Sequence, residues 1–222
     1  MADMDLFEAL RTTRTVRRLK PDPVPDELLR KVLTAATWAP SGGNRQPWRF
    51  LVVRDAERRR RLRELYLPLW RTFSGAYTAR LSGLPPEARA REERMVRSAD
   101  HLAEHLHEVP VIVVVCVHLP ELAITDAALD RPSVVGGASI YPAVQNLILA
   151  CRAVGLGAAL TTLLCLKEPE VSALLEIPSD WATCAHLAIG FPERAGHGPV
   201  RRKPVERVAF LDRWGQPLFP GP

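Results

Sequence analysis

Pro40-Ser41-Gly42-Gly43-Asn44-Arg45-Gln46-Pro47-Trp48 runs directly into the apolar stretch Arg49-Phe50-Leu51-Val52-Val53. The first part reads as a tight loop rich in amide and hydroxyl groups, the second as a strand. Gly42 and Gly43 let the backbone take positive φ and come close to a flat partner. Ser41, Asn44 and Gln46 carry groups that both donate and accept hydrogen bonds. A planar ring with alternating carbonyl and imide groups along one edge calls for such a lining. A Gly-Gly turn by itself reads as an ordinary helix-to-strand connection; the segments that accompany this one decide otherwise.

Working outward, the spacing of apolar residues predicts a short helix from Asp3 to Arg11. A second helix starts at Val24-Pro25-Asp26-Glu27, where proline and acidic residues suit a first turn. It carries the stripe Leu28, Leu29, Val32, Leu33 and Ala36 and stops near Trp38. Residues 48–54 form the strand and Glu57 to Tyr66 a basic helix. Leu67 to Leu84, with Trp70, Phe73 and Tyr77, reads as an irregular insertion, and Glu87 to Glu108 as a charged helix. Pro110 to Val117 is continuously apolar and β-branched, the mark of a central strand buried on both faces. Glu121 to Ser133 reads as a loop. Ser139 to Val154 is a helix apolar on most sides, closed by Gly155. A strand at Leu160–Leu164, a helix at Glu168–Leu175, a strand at Ala182–Gly190, a turn at Gly196–Pro199 and a last strand at Val205–Leu211 complete the chain. Helices and strands do not alternate regularly, so the class is α+β.

The 222 residues suit a single domain over residues 1–222 with an inserted helical lid at about 67–108. The acidic start Met1-Ala2-Asp3-Met4-Asp5 lacks the apolar core of an export signal, which predicts a cytoplasmic protein. The apolar stretch from Val134 to Leu166 is interrupted by Pro142, Gln145, Asn146, Arg152 and glycines, which fits a membrane span poorly. Cys116, Cys151, Cys165 and Cys184 lack metal spacing and read as buried free thiols. The net charge of +5 is almost wholly arginine. Its densest run, Arg58 to Arg61 with Arg63, is offset by Glu57 and Glu64 and has no interleaved aromatics, so no nucleic-acid partner is expected. His101 and His105, beside Glu104 and Glu108, have a zinc-compatible spacing but no evident third ligand, so no metal is expected. Gly155-Leu156-Gly157 ends a helix instead of opening one, so it is no dinucleotide fingerprint.

Upstream of the loop stands Thr13-Arg14-Thr15-Val16-Arg17-Arg18, followed by Lys20-Pro21-Asp22-Pro23-Val24-Pro25. Downstream come Gln145-Asn146-Leu147-Ile148-Leu149-Ala150, Gly155-Leu156-Gly157, Leu160-Thr161-Thr162 and the late Arg201-Arg202-Lys203-Pro204. In this order, from about Leu6 to Trp214, the segments resemble the FMN-dependent nitroreductase superfamily. That family pairs an Arg-Arg-Ser-x-Arg motif with a Pro-Ser-Gly-x-Asn-x-Gln-Pro-Trp loop, a Gly-Leu-Gly helix end and a late Arg-Lys-Pro.

The resemblance implies a central mixed β-sheet surrounded by helices, in an entwined homodimer with FMN at its interface. It implies ping-pong chemistry: NAD(P)H, bound transiently, delivers hydride to the flavin, and a small electron-poor acceptor such as a nitroaromatic or quinone then takes its place. Specialised relatives (dehalogenases, enoate reductases, flavin-cleaving and deazaflavin-using enzymes) and a non-enzymatic flavin-binding protein of the same fold remain open. Because hydride transfer needs stacking and distance more than acid-base groups, no catalytic side chain is named. The implied cofactor contacts are Thr13, Arg14, Thr15, Arg17, Ser41, Gly42, Asn44, Gln46, Thr161, Thr162 and Arg202. Arg202 would meet phosphate, Arg17 the pyrimidine end, where a cation raises the flavin potential. Backbone amides at Thr161–Thr162 would face flavin N5, while Gln46 either stabilises its loop or touches the ring. Thr13 departs from the family, standing where many relatives carry the first arginine, a loss that weakens FMN binding unless Arg14 or Arg201 compensates. Trp70, Phe73 and Tyr77 are expected to cover the flavin and select the acceptor.

Overall fold

The computed structural model describes residues 4–194 and 196–221. Four strands form one sheet, β1 (Trp48–Val53), β2 (Val111–His118), β3 (Gly157–Thr161) and β4 (Trp181–Gly190), in the order β1-β2-β4-β3. All three pairings are antiparallel, so within the described residues the expected mixed sheet is replaced by an antiparallel one. The class is α+β, as read from the sequence.

β2 is the spine. Val111 to Val117 are all buried, and their side chains alternate between two cores. Val111, Val113, Val115 and Val117 face α2 (Asp26–Thr37) and α5 (Tyr141–Ala153). Ile112, Val114 and Cys116 face α3 (Ala56–Ala79) and α4 (Pro86–His105). Each such valine contributes roughly 1.5–3 kcal/mol by leaving water. The two short helices are α1 (Leu6–Thr12) and α6 (Glu168–Leu175). The predicted start of α1 at Asp3 lies outside the described residues; the helix is capped by Asp5, whose carboxylate accepts the Glu8 N–H. Gly155 ends α5 as expected, in the left-handed region at φ +81°. No helix among the described residues is long and apolar enough to cross a membrane.

Two expectations are corrected. Leu67 to Leu84 is not irregular: α3 continues unbroken through Pro68 to Ala79, then a 3₁₀ turn at Arg80–Gly83 leads into α4. An interior proline costs a helix about 3 kcal/mol, and the burial of Tyr66, Leu67 and Trp70 against the core offsets it. Val205 to Leu211 is not a strand. Val205–Arg207 makes a 3₁₀ turn, and Asp212 and Gly215 at positive φ reverse the chain so that only Phe210 bridges Pro217. This C-terminal segment leaves Val208, Leu211 and Trp214 exposed, the last at 91%.

The N-terminal motif is fastened along β3. Val16 N–H donates to Ala158 O at 3.0 Å, and Lys20 N–H to Phe191 O at 2.8 Å. Gly157 makes this approach possible: a Cβ there would stand 2.8 Å from Val16 Cβ and 2.9 Å from Leu19 Cδ2. Gly157→Ala should therefore destabilise the fold by about 1–3 kcal/mol. Gly75→Ala, where nothing lies within 4 Å of the new carbon, should be neutral or stabilising. Thermal melting of the two variants checks the contrast; equal melting temperatures would remove Gly157 from this role.

Candidate functional site

A cleft of about 210 Å³ opens between the N-terminal motif, β3 and the α3–α4 pair. Arg17 and Thr161 line it together with the three aromatics expected there, Trp70, Phe73 and Tyr77. Once α3 is continuous, residues 66, 70, 73 and 77 fall on one helical face, so the aromatics form a row: Trp70 and Phe73 centroids lie 5.8 Å apart, and Phe73 and Tyr77 stack at 6.4 Å. Their polar ends turn aside. Trp70 Nε1 donates to Asp100 at 2.7 Å and Tyr77 Oη to Glu92 at 2.7 Å, both on α4. Trp70 is buried, whereas Phe73 is 51% exposed. Trp70 thus anchors α3 to α4, and Phe73 presents a free ring.

Arg17 is the electrostatic centre of the cleft. Its guanidinium is largely buried, and burial disfavours its charge, with Tyr66 opposing that effect. Among the described residues no carboxylate pairs with it. An arginine stays protonated in proteins, so the cleft holds a cation without a counter-ion. Tyr66 beside it is pushed up by burial, with the Thr161 hydroxyl and the Arg17 charge pulling the other way.

The remaining motif residues fall into two groups. Gly198 N–H donates to Thr12 O and Val200 N–H to Arg11 O, which brings the segment before Arg201 and Arg202 back to the end of α1, just ahead of the N-terminal motif. Arg14 lies beside Gly198, and Arg202 is exposed, its Nη1 donating to Arg201 O. Thr15 and Thr162 are exposed. Thr13 turns its hydroxyl back to Ala9 O at 2.7 Å, closing α1. The threonine at this position thus serves the helix end.

The Ser41–Gln46 loop is elsewhere. It precedes β1, and β1 and β3 are opposite edges of the sheet, roughly 14 Å apart at the usual strand spacing. The loop is organised internally. Gln46 N–H donates to Ser41 Oγ and Gln46 Nε2 to Asn44 Oδ1, while Gly42 N–H donates to Ser139 Oγ. Within one chain Gln46 thus braces the loop. Gly43 takes positive φ but Gly42 does not; Asn44 and Gln46, both at φ 52°, take it instead. Non-glycine residues held there store strain of order 1–3 kcal/mol each, a feature common at ligand clamps.

Sequence reasoning missed Tyr66, Met95, Ala99 and Leu102, which also line the cleft. The signal for Tyr66 was the aromatic row, legible only if the helix runs past Pro68. Cys116, Cys151 and Cys184 are pushed up to about 11, 12 and 12 by burial, which makes them poor nucleophiles. His101 stacks on His105 and faces the Arg18 cation at 3.4 Å. Arg60 and Arg61 pair with Glu57 and Glu64.

Comparison with known proteins now decides the family. The sequence model described as "Nitroreductase family" matches residues 10–191. The chain belongs to the nitroreductase family. It is 34% identical over 211 residues to an NADH dehydrogenase of Thermus thermophilus, covering 93% of this chain and 96% of the relative. It is 33% identical over 215 residues to a 5,6-dimethylbenzimidazole synthase of Rhodospirillum rubrum, covering 92% and 88%. A nitroreductase from Desulfitobacterium hafniense, solved with bound FMN, shares the fold with a TM-score of 0.65 at 19% identity, over 93% of this chain and 97% of that one. This nitroreductase-family flavin oxidoreductase thus matches relatives of differing reaction along most of its length.

The geometry separates anchor from contact. Trp70→Leu should cost about 2–4 kcal/mol, from lost packing and an unpaired Asp100. Phe73→Leu should change stability by less than about 0.5 kcal/mol. Denaturant unfolding measures both, and a Phe73 variant as destabilised as the Trp70 variant would show that Phe73 is also an anchor.

Proposed function

We propose that the protein is an FMN-dependent NAD(P)H oxidoreductase acting by ping-pong hydride transfer to a small planar, electron-poor acceptor. The observation that carries this reading is Arg17: a largely buried cation without a carboxylate partner, on the floor of a cleft walled by aromatic rings. An anionic, planar group fits such a place. FMN, when bound, supplies the hydride-accepting and hydride-donating centre.

The chain's own residues do the rest. Arg17 offers positive charge to the pyrimidine edge, and Arg14 and Arg202 offer charge-assisted hydrogen bonds to the phosphate. Thr161 and Thr162, at the end of β3, present backbone groups to the ring. Phe73 lies over the cleft opening and sets which acceptors stack; Trp70 and Tyr77 hold the α3 face in position. The domain is one body with α3–α4 as its lid.

The Ser41–Gln46 loop completes the site from a second copy of the chain. Its position on the far sheet edge supports this, as do the strained Asn44 and Gln46 and the exposed apolar residues Trp38, Tyr141 and Trp214. A C₂ pair presents the loop of each protomer to the cleft of the other.

Two measurements test this. Purified protein should be yellow, and NADPH or NADH should bleach it with recovery on adding a quinone; a colourless protein that takes up no FMN would overturn the reading. Arg202→Ala should weaken FMN binding by about 1.5–3 kcal/mol, the worth of one charge-assisted contact. Because Arg202 is exposed, folding should be spared. Titration of apoprotein with FMN measures the loss, and equal affinity in variant and parent would remove Arg202 from the site.

A further inference from the structure

Few hydrogen bonds tie the Ser41–Gln46 loop to the rest of the chain. Arg49, on the strand it leads into, holds its end, with Nη1 donating to Gln46 O at 3.3 Å. Among the described residues one side chain holds its start from outside: Gly42 N–H donates to Ser139 Oγ at 3.0 Å, across 97 positions of sequence. Gly42 and Gly43 are the most permissive backbone in the segment. The bond to Ser139 therefore restrains the point about which the loop would otherwise swing.

Ser139 stands on a well-supported turn. Asp126 is buried, and its carboxylate accepts Ser133 Oγ at 2.7 Å, Val134 N–H at 2.9 Å and Arg131 Nη1 at 2.8 Å. These bonds, that of Ser133 foremost, hold the carboxyl down at about 2, so its charge persists at neutral pH. Ser133 Oγ also accepts Gly136 N–H at 3.3 Å, and Gly137 O accepts Ile140 N–H at 3.0 Å. Tyr141 closes the turn against the sheet. Its ring lies over Gly137, where a Cβ would stand 2.5 Å from Cδ2, and its Oη donates to Cys184 O on β4 at 3.2 Å. A plain connector into α5 does not need a buried charge, which is costly unless its partners are all in place. Compact loops held by their own side chains are frequently functional.

We propose that Ser139 is a positioning residue for the cofactor: held by the Asp126 turn, it fixes the start of the Ser41–Gln46 loop, so that Asn44 and Gln46 meet the bound ring in one arrangement. The proposal rests on the FMN reading and the shared site given above. Its physical content is preorganisation. A loop that is already ordered loses less conformational freedom when the ring binds, and it releases the ring more slowly. Ser139 touches neither ring nor acceptor and acts only through Gly42.

The test uses the purified full-length protein with the flavin it carries. Hydrogen exchange in the peptide spanning residues 40–48 reads the loop directly, because the amides of Gly42, Asn44, Arg45 and Gln46 are all hydrogen-bonded. Ser139→Ala should melt with the parent, exchange faster in this peptide, and release FMN about two- to tenfold faster on dilution, the worth of one neutral hydrogen bond. Recovery of flavin fluorescence follows the release. Ser139→Thr, which keeps the hydroxyl, should return both readouts towards the parent. Ser133→Ala, which cuts the support one step back, should also speed exchange in the same peptide. Unchanged exchange in Ser139→Ala overturns the proposal, as does a threonine variant as loose as the alanine one. Faster exchange with an unmoved release rate would leave Ser139 a structural contact and overturn the positioning claim. Exchange untouched in Ser133→Ala would overturn the part given to the Asp126 turn. A parent that carries no FMN would strike the functional reading, while exchange still decides whether Ser139 holds the loop.

Discussion

The hydrogen bond from Val16 N–H to Ala158 O is the contact on which the candidate site depends. It lays residues 13–18 along the outer edge of β3, and it forms only because Gly157 presents no side chain where Val16 and Leu19 must sit. With Val16 buried, its neighbour Arg17 points to the other side of this extended segment and into the cleft. The late Gly198–Val200 stretch then bonds to Arg11 and Thr12, which carries Arg201 and Arg202 back to the N-terminal segment. A glycine, one backbone bond and a short return of the C-terminal segment thus gather cations that are nearly 190 residues apart in sequence.

The same sheet that positions Arg17 keeps the Ser41–Gln46 loop away from it. β2 and β4 lie buried between the two edge strands and hold those edges apart. The loop is prepared nonetheless: Ser41, Asn44 and Gln46 bond to one another, Ser139 holds Gly42, and Asn44 and Gln46 are held in a conformation that side chains resist. Strain without use inside the chain is the physical reason to look for its use between chains.

Much of this was legible in the sequence. The β-branched run Val111–Val117 announced a doubly buried strand, and Gly155 announced the end of α5. The order of the loop, the arginine motif and the late Arg-Lys-Pro pointed to the family. What was not legible had tertiary causes. Pro68 sits in a long helix because Tyr66, Leu67 and Trp70 find a core to bury against, which no local propensity reveals. Val205–Leu211 has strand-like residues, but Asp212 and Gly215 at positive φ turn the chain back after it, so its one bridge is local, Phe210 to Pro217. That the Thr13 hydroxyl closes α1 was not legible either, because it depends on where the helix ends.

The central claim is that each site takes Arg17 from one protomer and the Ser41–Gln46 loop from the other. Mixing two defective variants tests it most directly. Arg17→Ala leaves the loop intact; Asn44→Gly spoils the loop while keeping its left-handed backbone. When the two proteins are unfolded together and refolded, heterodimers would carry one site with both parental halves, so about a quarter of the sites should regain FMN and quinone reductase activity. Activity of the refolded mixture no greater than the mean of the two variants refolded separately would contradict a site shared between chains.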